Sequence, residues 1–306
     1  MIPCPICSSR VTKQLDITSE DSHLHRCLGC GIIRWDRQWP PGKTVEFYHD
    51  YYANRSTELS QVTGKRYHAI LQQLERHQPP GSLLEVGCGM GYLLGVAEVR
   101  GWRPVGLEIS SSGRKQIERL KAERGWTFQV QEGDVMCTEF PTESFKATIL
   151  IEVLEHLIDP IACLKKVHRW LEPHGLLYMT TPNFDSLSRY ALAGRWRAIA
   201  REHLCLFNPI TLNATLKMAG FRVIRLVTKN IDIPEILAKW RHRGPSGASV
   251  KTEVSTEVFR HAVERSTVLR ALKRVANATL QVSRLGEVLE VFAVKATASC
   301  IDNADG

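Results

Sequence analysis

No run of 18 apolar residues occurs in the 306-residue chain, so no segment reads as a membrane-spanning helix. The opening, MIPCPICSSR, holds no apolar stretch of signal-peptide length; the expectation is a soluble, cytoplasmic protein. Internal repeats and low-complexity tracts are missing, which leaves no case for a repeat array. Charge of one sign does not dominate either. Against 32 Asp+Glu stand 40 Lys+Arg, a formal net of +8. Spread over the whole chain, that excess names no partner unless it clusters. With 43% hydrophobic and 24% charged residues, the composition excludes a disordered or fibrous protein. The length leaves room for roughly two domains of about 150 residues.

What is present first is cysteine. Four of the nine cysteines form two C-x2-C pairs, Cys4/Cys7 and Cys27/Cys30, and the others are scattered. Without an export signal, close pairs at this separation read as metal ligands rather than a disulfide framework. They match a four-thiolate zinc ribbon over 1–40, too short to bury a core of its own and dependent on metal to fold. Unrelated free thiols are the plainer alternative.

A linker and N-terminal helix over 41–81 follow, with a Tyr-rich stretch of Phe47, Tyr48, Tyr51 and Tyr52. From Ser82 short apolar strands alternate with amphipathic helices. Strands are expected at 82–87, 103–109, 126–131, 145–151, 175–181, 221–227 and 287–295. Helices are expected at 91–100, 111–124 and 160–171, and after Asn208-Pro209 up to Gly220. This spacing implies parallel βαβ units, hence an α/β, doubly wound sheet whose strand C-termini share one ligand-binding edge. The domain is expected over 82–296. A helical insertion at about 232–283 breaks the alternation, and 297–306 is a tail. The insertion's GPSGAS segment is flexible in composition, and its 254–282 stretch is helical in pattern.

At the edge, LLEVGCGMGYLL (83–94) runs a strand from Glu85 into Gly87, Gly89 and Gly91 before a helix. Such glycines allow a sharp turn and close ligand approach. The dinucleotide fingerprint Gly-x-Gly-x-x-Gly is not met, because Tyr92 or Leu94 stands where its third glycine belongs. Glu108 ends the second strand, where a carboxylate can accept both ribose hydroxyls, and Asp134 follows the third. The three acids in register resemble the class I S-adenosylmethionine-dependent methyltransferases, a Rossmann-like family with a seven-stranded, mostly parallel sheet. IEVLEHLIDP (151–160) and EHLCLFNPITLNATLKMAGF (202–221) are similar to its ubiquinone-methylase-like branch.

The resemblance implies S-adenosylmethionine contacts from Glu85, Gly87, Cys88, Gly89, Gly91, Glu108, Ile109, Asp134, Val135 and Glu152. Glu85 and the glycines would hold the methionine part, Glu108 the ribose, and Asp134 with Val135 the adenine. In the ubiquinone O-methyltransferases a similar Glu-x-x-Glu-His accompanies a divalent metal. Here that pattern is Glu152, Glu155 and His156, which would suit Mg²⁺ through hard oxygen ligands. Alternatively His156 is a general base, with His203 the second candidate, or the segment merely lines the pocket. Ribbon, Tyr-rich linker and methylase domain together look like bacterial methyltransferases of sugar and cell-surface glycan modification.

Two basic stretches, 186–201 with Arg189, Arg195, Arg197 and Arg201, and Lys239 to Arg243, could meet an anionic or lipid-linked acceptor, a nucleotide-sugar diphosphate, a peripheral membrane surface, or RNA phosphates, or could be solvated faces. The main expectation is a small-molecule methyltransferase with a sugar/glycan or lipid-type acceptor. An RNA methyltransferase is the second, though no Asn/Asp-Pro-Pro-Tyr or Pro-Cys nucleophile follows the fourth strand. A non-catalytic cofactor-binding module is the third.

Overall fold

The computed structural model describes residues 3–19, 21–37, 39, 42–53, 59–241 and 267–296. Three antiparallel strands open it: β1 (Thr12–Ser19), β2 (Ser22–Cys27) and β3 (Ile33–Trp35). Helices α1 (Lys43–Ala53) and α2 (Gln61–Glu75) lead into the α/β body. Its first half is β4 (Ser82–Val86), α3 (Tyr92–Val99), β5 (Arg103–Glu108), α4 (Ser111–Arg124), β6 (Gln129–Glu132) and β7 (Phe145–Ile151). The second half is α5 (Pro160–Trp170), β8 (Leu171–Pro182), α6 (Leu187–Leu192), β9 (Cys205–Leu206), α7 (Pro209–Met218) and β10 (Phe221–Lys229). It ends with α8 (Ile233–Arg241), α9 (Thr267–Ser283) and β11 (Val288–Lys295).

The large sheet runs β10-β11-β8-β7-β4-β5-β6. Strands β4 to β8 pair in parallel, while β11 is antiparallel to both its neighbours. This is the doubly wound sheet that the alternating pattern implies, in the Rossmann-like, seven-stranded, mostly parallel form that the resemblance implies. The chain leaves β4 for β5 on one side and returns to β7 on the other, so a crevice opens where these strands end. Local chemistry fixes the boundaries. Asp159 caps α5 by accepting from the Ala162 N–H, with Pro160 in the first turn. Asn208 and Thr211 form a capping box on α7.

Two differences from the sequence pattern have plain causes. The strand expected from 126 starts at Gln129, because Trp126 is apolar for another reason: its ring fills the place of a side chain at Gly95, on α3. The helix expected to reach 171 stops at Trp170, since Leu171 already pairs with Phe145 as part of β8. His242, Arg243, GPSGAS, 254–266, the tail and Cys300 lie outside the described residues.

The N-terminal strands do not stand apart. Strand β9, from the body, pairs with β3 through Ile33↔Leu206 and Arg34↔Cys205, completing a four-stranded sheet. One apolar cluster joins Leu24, Ile33 and Trp35 to Phe184, Trp196 and Leu206. The Trp35 indole N–H donates to the Ala200 carbonyl at 3.1 Å, and Arg201 donates to the Arg37 carbonyl at 3.0 Å.

Candidate active site

Among the described residues a large cavity, about 1790 Å³, lies at the C-terminal edge of the parallel strands. Ligand pockets usually span about 300–1,000 Å³, so this one has room for two molecules. Its floor carries Gly87 after β4, Glu108 and Ile109 after β5, Asp134 and Val135 after β6, and Glu152 after β7. The fold thus gathers the acids of three different strand ends on one wall.

Backbone N–H groups hold two of these carboxyls and a threonine hydroxyl the third. Glu108 accepts from the Gly89 N–H at 2.8 Å and from the Ser110 N–H at 2.9 Å, one on each oxygen. Each oxygen keeps a lone pair for a further donor such as a ribose hydroxyl. Burial raises the Glu108 carboxyl above its ordinary value, against those two bonds. Asp134 accepts from the Met136 N–H at 2.8 Å. Glu152 sits at φ 54°, a left-handed conformation costly for a residue with a Cβ. It is fixed there by Thr180, whose carbonyl takes the Glu152 N–H and whose hydroxyl donates to its carboxylate at 2.8 Å.

Not every residue expected at the cofactor reaches the cavity. Glu85, Cys88, Gly89 and Gly91 are not on its wall. Glu85 is buried, one of its oxygens has no hydrogen-bond partner, and burial with nearby Glu108 pushes its carboxyl well up. Burial likewise raises the Cys88 thiol. Gly89, at φ 57°, is covered by α1: a Cβ there would stand 2.8 Å from the Tyr52 hydroxyl.

The cavity wall also carries a pair of imidazoles. His156 and His203 meet edge to face, 4.6 Å between ring centres. His156 Nδ1 lies 3.0 Å from the Glu202 carbonyl and His203 Nδ1 2.8 Å from the Ala198 carbonyl. A carbonyl only accepts, so both Nδ1 atoms carry protons and both Nε2 lone pairs are free in the neutral rings. Burial and the neighbouring His203 push His156 down to about 3. Beside them Glu155 is fully buried, accepts from Thr181 at 2.9 Å with one oxygen, and leaves the other unpartnered. Burial and Glu152 raise its carboxyl well above the ordinary range.

Glu155, His156 and His203 therefore gather as a possible ligand group, and Glu152 is not part of it. This differs from the expected Glu152, Glu155, His156 set. Two imidazoles and one buried carboxyl also fit Mg²⁺ poorly, since that ion takes carboxylates, carbonyls and water.

Sequence reasoning missed the aromatic wall. Trp39, Phe47, Tyr48, Tyr51 and Tyr52 all line the cavity. The signal was in the spacing, because 47, 48, 51 and 52 fall on one helical face. Burial raises the phenols of Tyr48 and Tyr52, with nearby carboxylates adding to it.

The arginines of the first basic stretch each have partners within the chain. Arg189 stacks on Tyr190 and donates to the Phe184 carbonyl, Arg195 donates to the Lys239 carbonyl, and Arg201 lies over Trp35. Arg197 reaches the cavity between Asp232, Glu235 and Glu287, at 3.6–3.8 Å.

Outside the cavity lining, the thiols of Cys4, Cys7, Cys27 and Cys30 converge, all four sulfurs within 4.8 Å of one another. Cys4 and Cys30 lie 3.6 Å apart, and Cys7 and Cys27 3.5 Å. Zinc with four thiolates at about 2.3 Å would need sulfurs about 3.8 Å apart. Backbone N–H groups of Ile6, Ser9 and Ile32, each two residues on, point at Cys4, Cys7 and Cys30 respectively. The pairing with Cys30 holds the Cys4 thiol down to about 5.

A strand-edge cavity with acids at the ends of β5, β6 and β7 is the site of a Rossmann-like methyltransferase fold. The chain belongs to a methyltransferase-domain family, whose pattern matches residues 55–226. It is similar to the "Probable S-adenosylmethionine-dependent methyltransferase" of Mycolicibacterium smegmatis, 26% identical over 52% of this chain and 59% of that protein. The ubiquinone biosynthesis O-methyltransferase of Idiomarina loihiensis is 29% identical over 42% of this chain and 51% of its own. The chain thus spans about half the length of these relatives. Among solved structures, phosphoethanolamine N-methyltransferase 2 of Haemonchus contortus, in complex with S-adenosyl-L-methionine, covers 82% of this chain and 56% of its own, with TM-score 0.55 and 20% identity. The cyclase SpnF covers 84% of this chain and 94% of its own at TM-score 0.53 and 18% identity. These two likenesses concern the fold alone.

Proposed function

We propose that the protein transfers a methyl group from S-adenosylmethionine to a hydroxyl of a small acceptor, of sugar or glycan type. The observation that carries this reading is the continuity of one cavity. It joins the ribose-type anchor Glu108 to the free imidazole of His156 across the end of β7. When bound, the cofactor supplies an electrophilic methyl group on a sulfonium sulfur. Alignment of the acceptor oxygen is then the main task of the chain.

The proton is handled by His156. Its Nδ1–H is tied to the Glu202 carbonyl, so Nε2 is the accepting atom. A ring held down to about 3 is a weak base, but it is always neutral at physiological pH. Oxygen becomes strongly acidic as it gains the methyl group, so a weak, permanently neutral base suffices. The acceptor end of the cavity carries Trp196, Arg197, Asp232, Glu287, Glu290 and Lys229. Such a mixed, acid-rich wall supports a polyhydroxylated acceptor over a lipid tail or an anionic head group. The four converging thiols support a structural zinc ion outside the cavity lining.

Calorimetry tests the cofactor reading. Charged hydrogen bonds contribute about 1.5–3 kcal/mol each. Glu108→Ala is therefore expected to weaken S-adenosylmethionine binding by about 10- to 1,000-fold. Unchanged affinity in a folded variant would remove Glu108 from the site.

A further inference from the structure

Helix α1 lays aromatic rings over the cofactor edge, and it is fastened there. Ser110, the N-cap of α4, donates to the Tyr48 carbonyl at 3.3 Å, and Ser112 donates to the His49 carbonyl at 2.6 Å. These bonds set the register of α1 so that Tyr48 and Tyr52 enter the cavity. Tyr52 goes to the glycine loop, over Gly89 and against Glu108. Tyr48 stands one turn earlier, its ring edge-on to His156 with centres 5.4 Å apart. The carboxyls of Glu155, Glu202, Glu108 and Glu152 all act on it. Tyr48 is thus the aromatic side chain that meets the base and also feels the carboxyl of the ribose anchor.

Between those two points the donor's sulfur has to lie, since it carries the ribose arm and presents its methyl group to the acceptor. The sulfur is positively charged before transfer and neutral after it. An aromatic face attracts a cation and is nearly indifferent to a thioether.

We infer that Tyr48 is a binding residue for the sulfonium charge, through its ring, and so distinguishes the charged donor from its neutral product. This rests on the proposed reading of the cavity as an S-adenosylmethionine site. Release of product is eased by the same contact, because the attraction vanishes with the charge.

The test is calorimetric and needs no acceptor. S-adenosylmethionine and S-adenosylhomocysteine are titrated into the wild type, Tyr48→Phe and Tyr48→Leu. Cation–π contacts of about 0.5–2 kcal/mol correspond to about 2- to 30-fold in affinity. Tyr48→Leu is expected to lose that factor for S-adenosylmethionine and to keep its affinity for S-adenosylhomocysteine within about twofold. Tyr48→Phe is expected to keep both. Equal losses for the two ligands would assign Tyr48 a merely structural role and overturn the inference. Loss in Tyr48→Phe equal to that in Tyr48→Leu would overturn it too, by assigning the effect to the hydroxyl. Should Tyr48→Leu fail to fold, 3,4,5-trifluorophenylalanine at position 48 keeps the shape and withdraws ring electrons. It must weaken the charged ligand alone. A wild type that binds neither ligand would sink the cofactor reading itself, a result distinct from all of these.

Discussion

His156 shows how little a residue type says without its surroundings. An ordinary imidazole titrates near neutral pH, whereas burial and His203 hold this one down to about 3. Between pH 5 and 8 the methyl-transfer rate is therefore expected to carry no acidic limb from His156. His156→Ala should lower turnover about 100- to 10,000-fold with cofactor affinity nearly unchanged. A limb centred near 6.5 that vanishes in that variant would contradict the assignment. The same lowered value bears on stability. As pH falls from the ordinary imidazole range toward 3, the unfolded chain takes up a proton that folded His156 refuses, so stability is lost over that window. Glu85, Glu108 and Glu155 have raised values and act the other way. They cost stability as pH rises above the ordinary carboxylate range. Glu108 and Asp134 were legible as strand-end acids from position alone. The recess of Glu85 was not, because reaching the cavity depends on which way the glycine loop turns and on what covers it.

At the scale of elements, every strand of the large sheet was legible, since buried parallel strands write themselves as short apolar runs such as FKATILI. The N-terminal strands were not. TKQLDITS and SHLHRC alternate weakly, and β9 is only two residues long, called into the sheet by its partner β3. That pairing changes what the cysteines do. Strand β9 lies two residues beyond His203, on the segment whose Glu202 carbonyl orients His156. Cys27→Ser, or a strong chelator, is expected to remove zinc measured by elemental analysis. It is also expected to lower turnover by up to about 100-fold through misplacement of the imidazole pair. Cofactor affinity should stay close to that of the wild type. Zinc-free protein with full activity would show the four thiols to be unrelated to the site.

The whole molecule has two electrostatic faces. Its formal net charge is +8, yet the described cavity wall carries eight acids against four Lys and Arg. A positive exterior with an acidic interior suits a cationic donor and opposes a phosphate chain inside. Affinity for a single-stranded RNA at physiological salt is accordingly expected no tighter than the non-specific range of about 10⁻⁴–10⁻⁶ M. Tighter binding in a filter assay would revive the RNA reading. No helix among the described residues is long and apolar enough to cross a membrane. The pairing of β3 with β9 has one more implication, for how such proteins can be recombined. A chain shortened to begin at Gln61 would leave Cys205 and Leu206 as an open strand edge. It would also strip the cover from Phe184, Trp196 and Leu206, which share a cluster with Leu24, Ile33 and Trp35. Open edges and bare aromatics make chains stick to one another. The N-terminal piece therefore cannot be exchanged like a bead on a string: whatever lineage carries it must inherit the stretch from 184 to 207 as its other half.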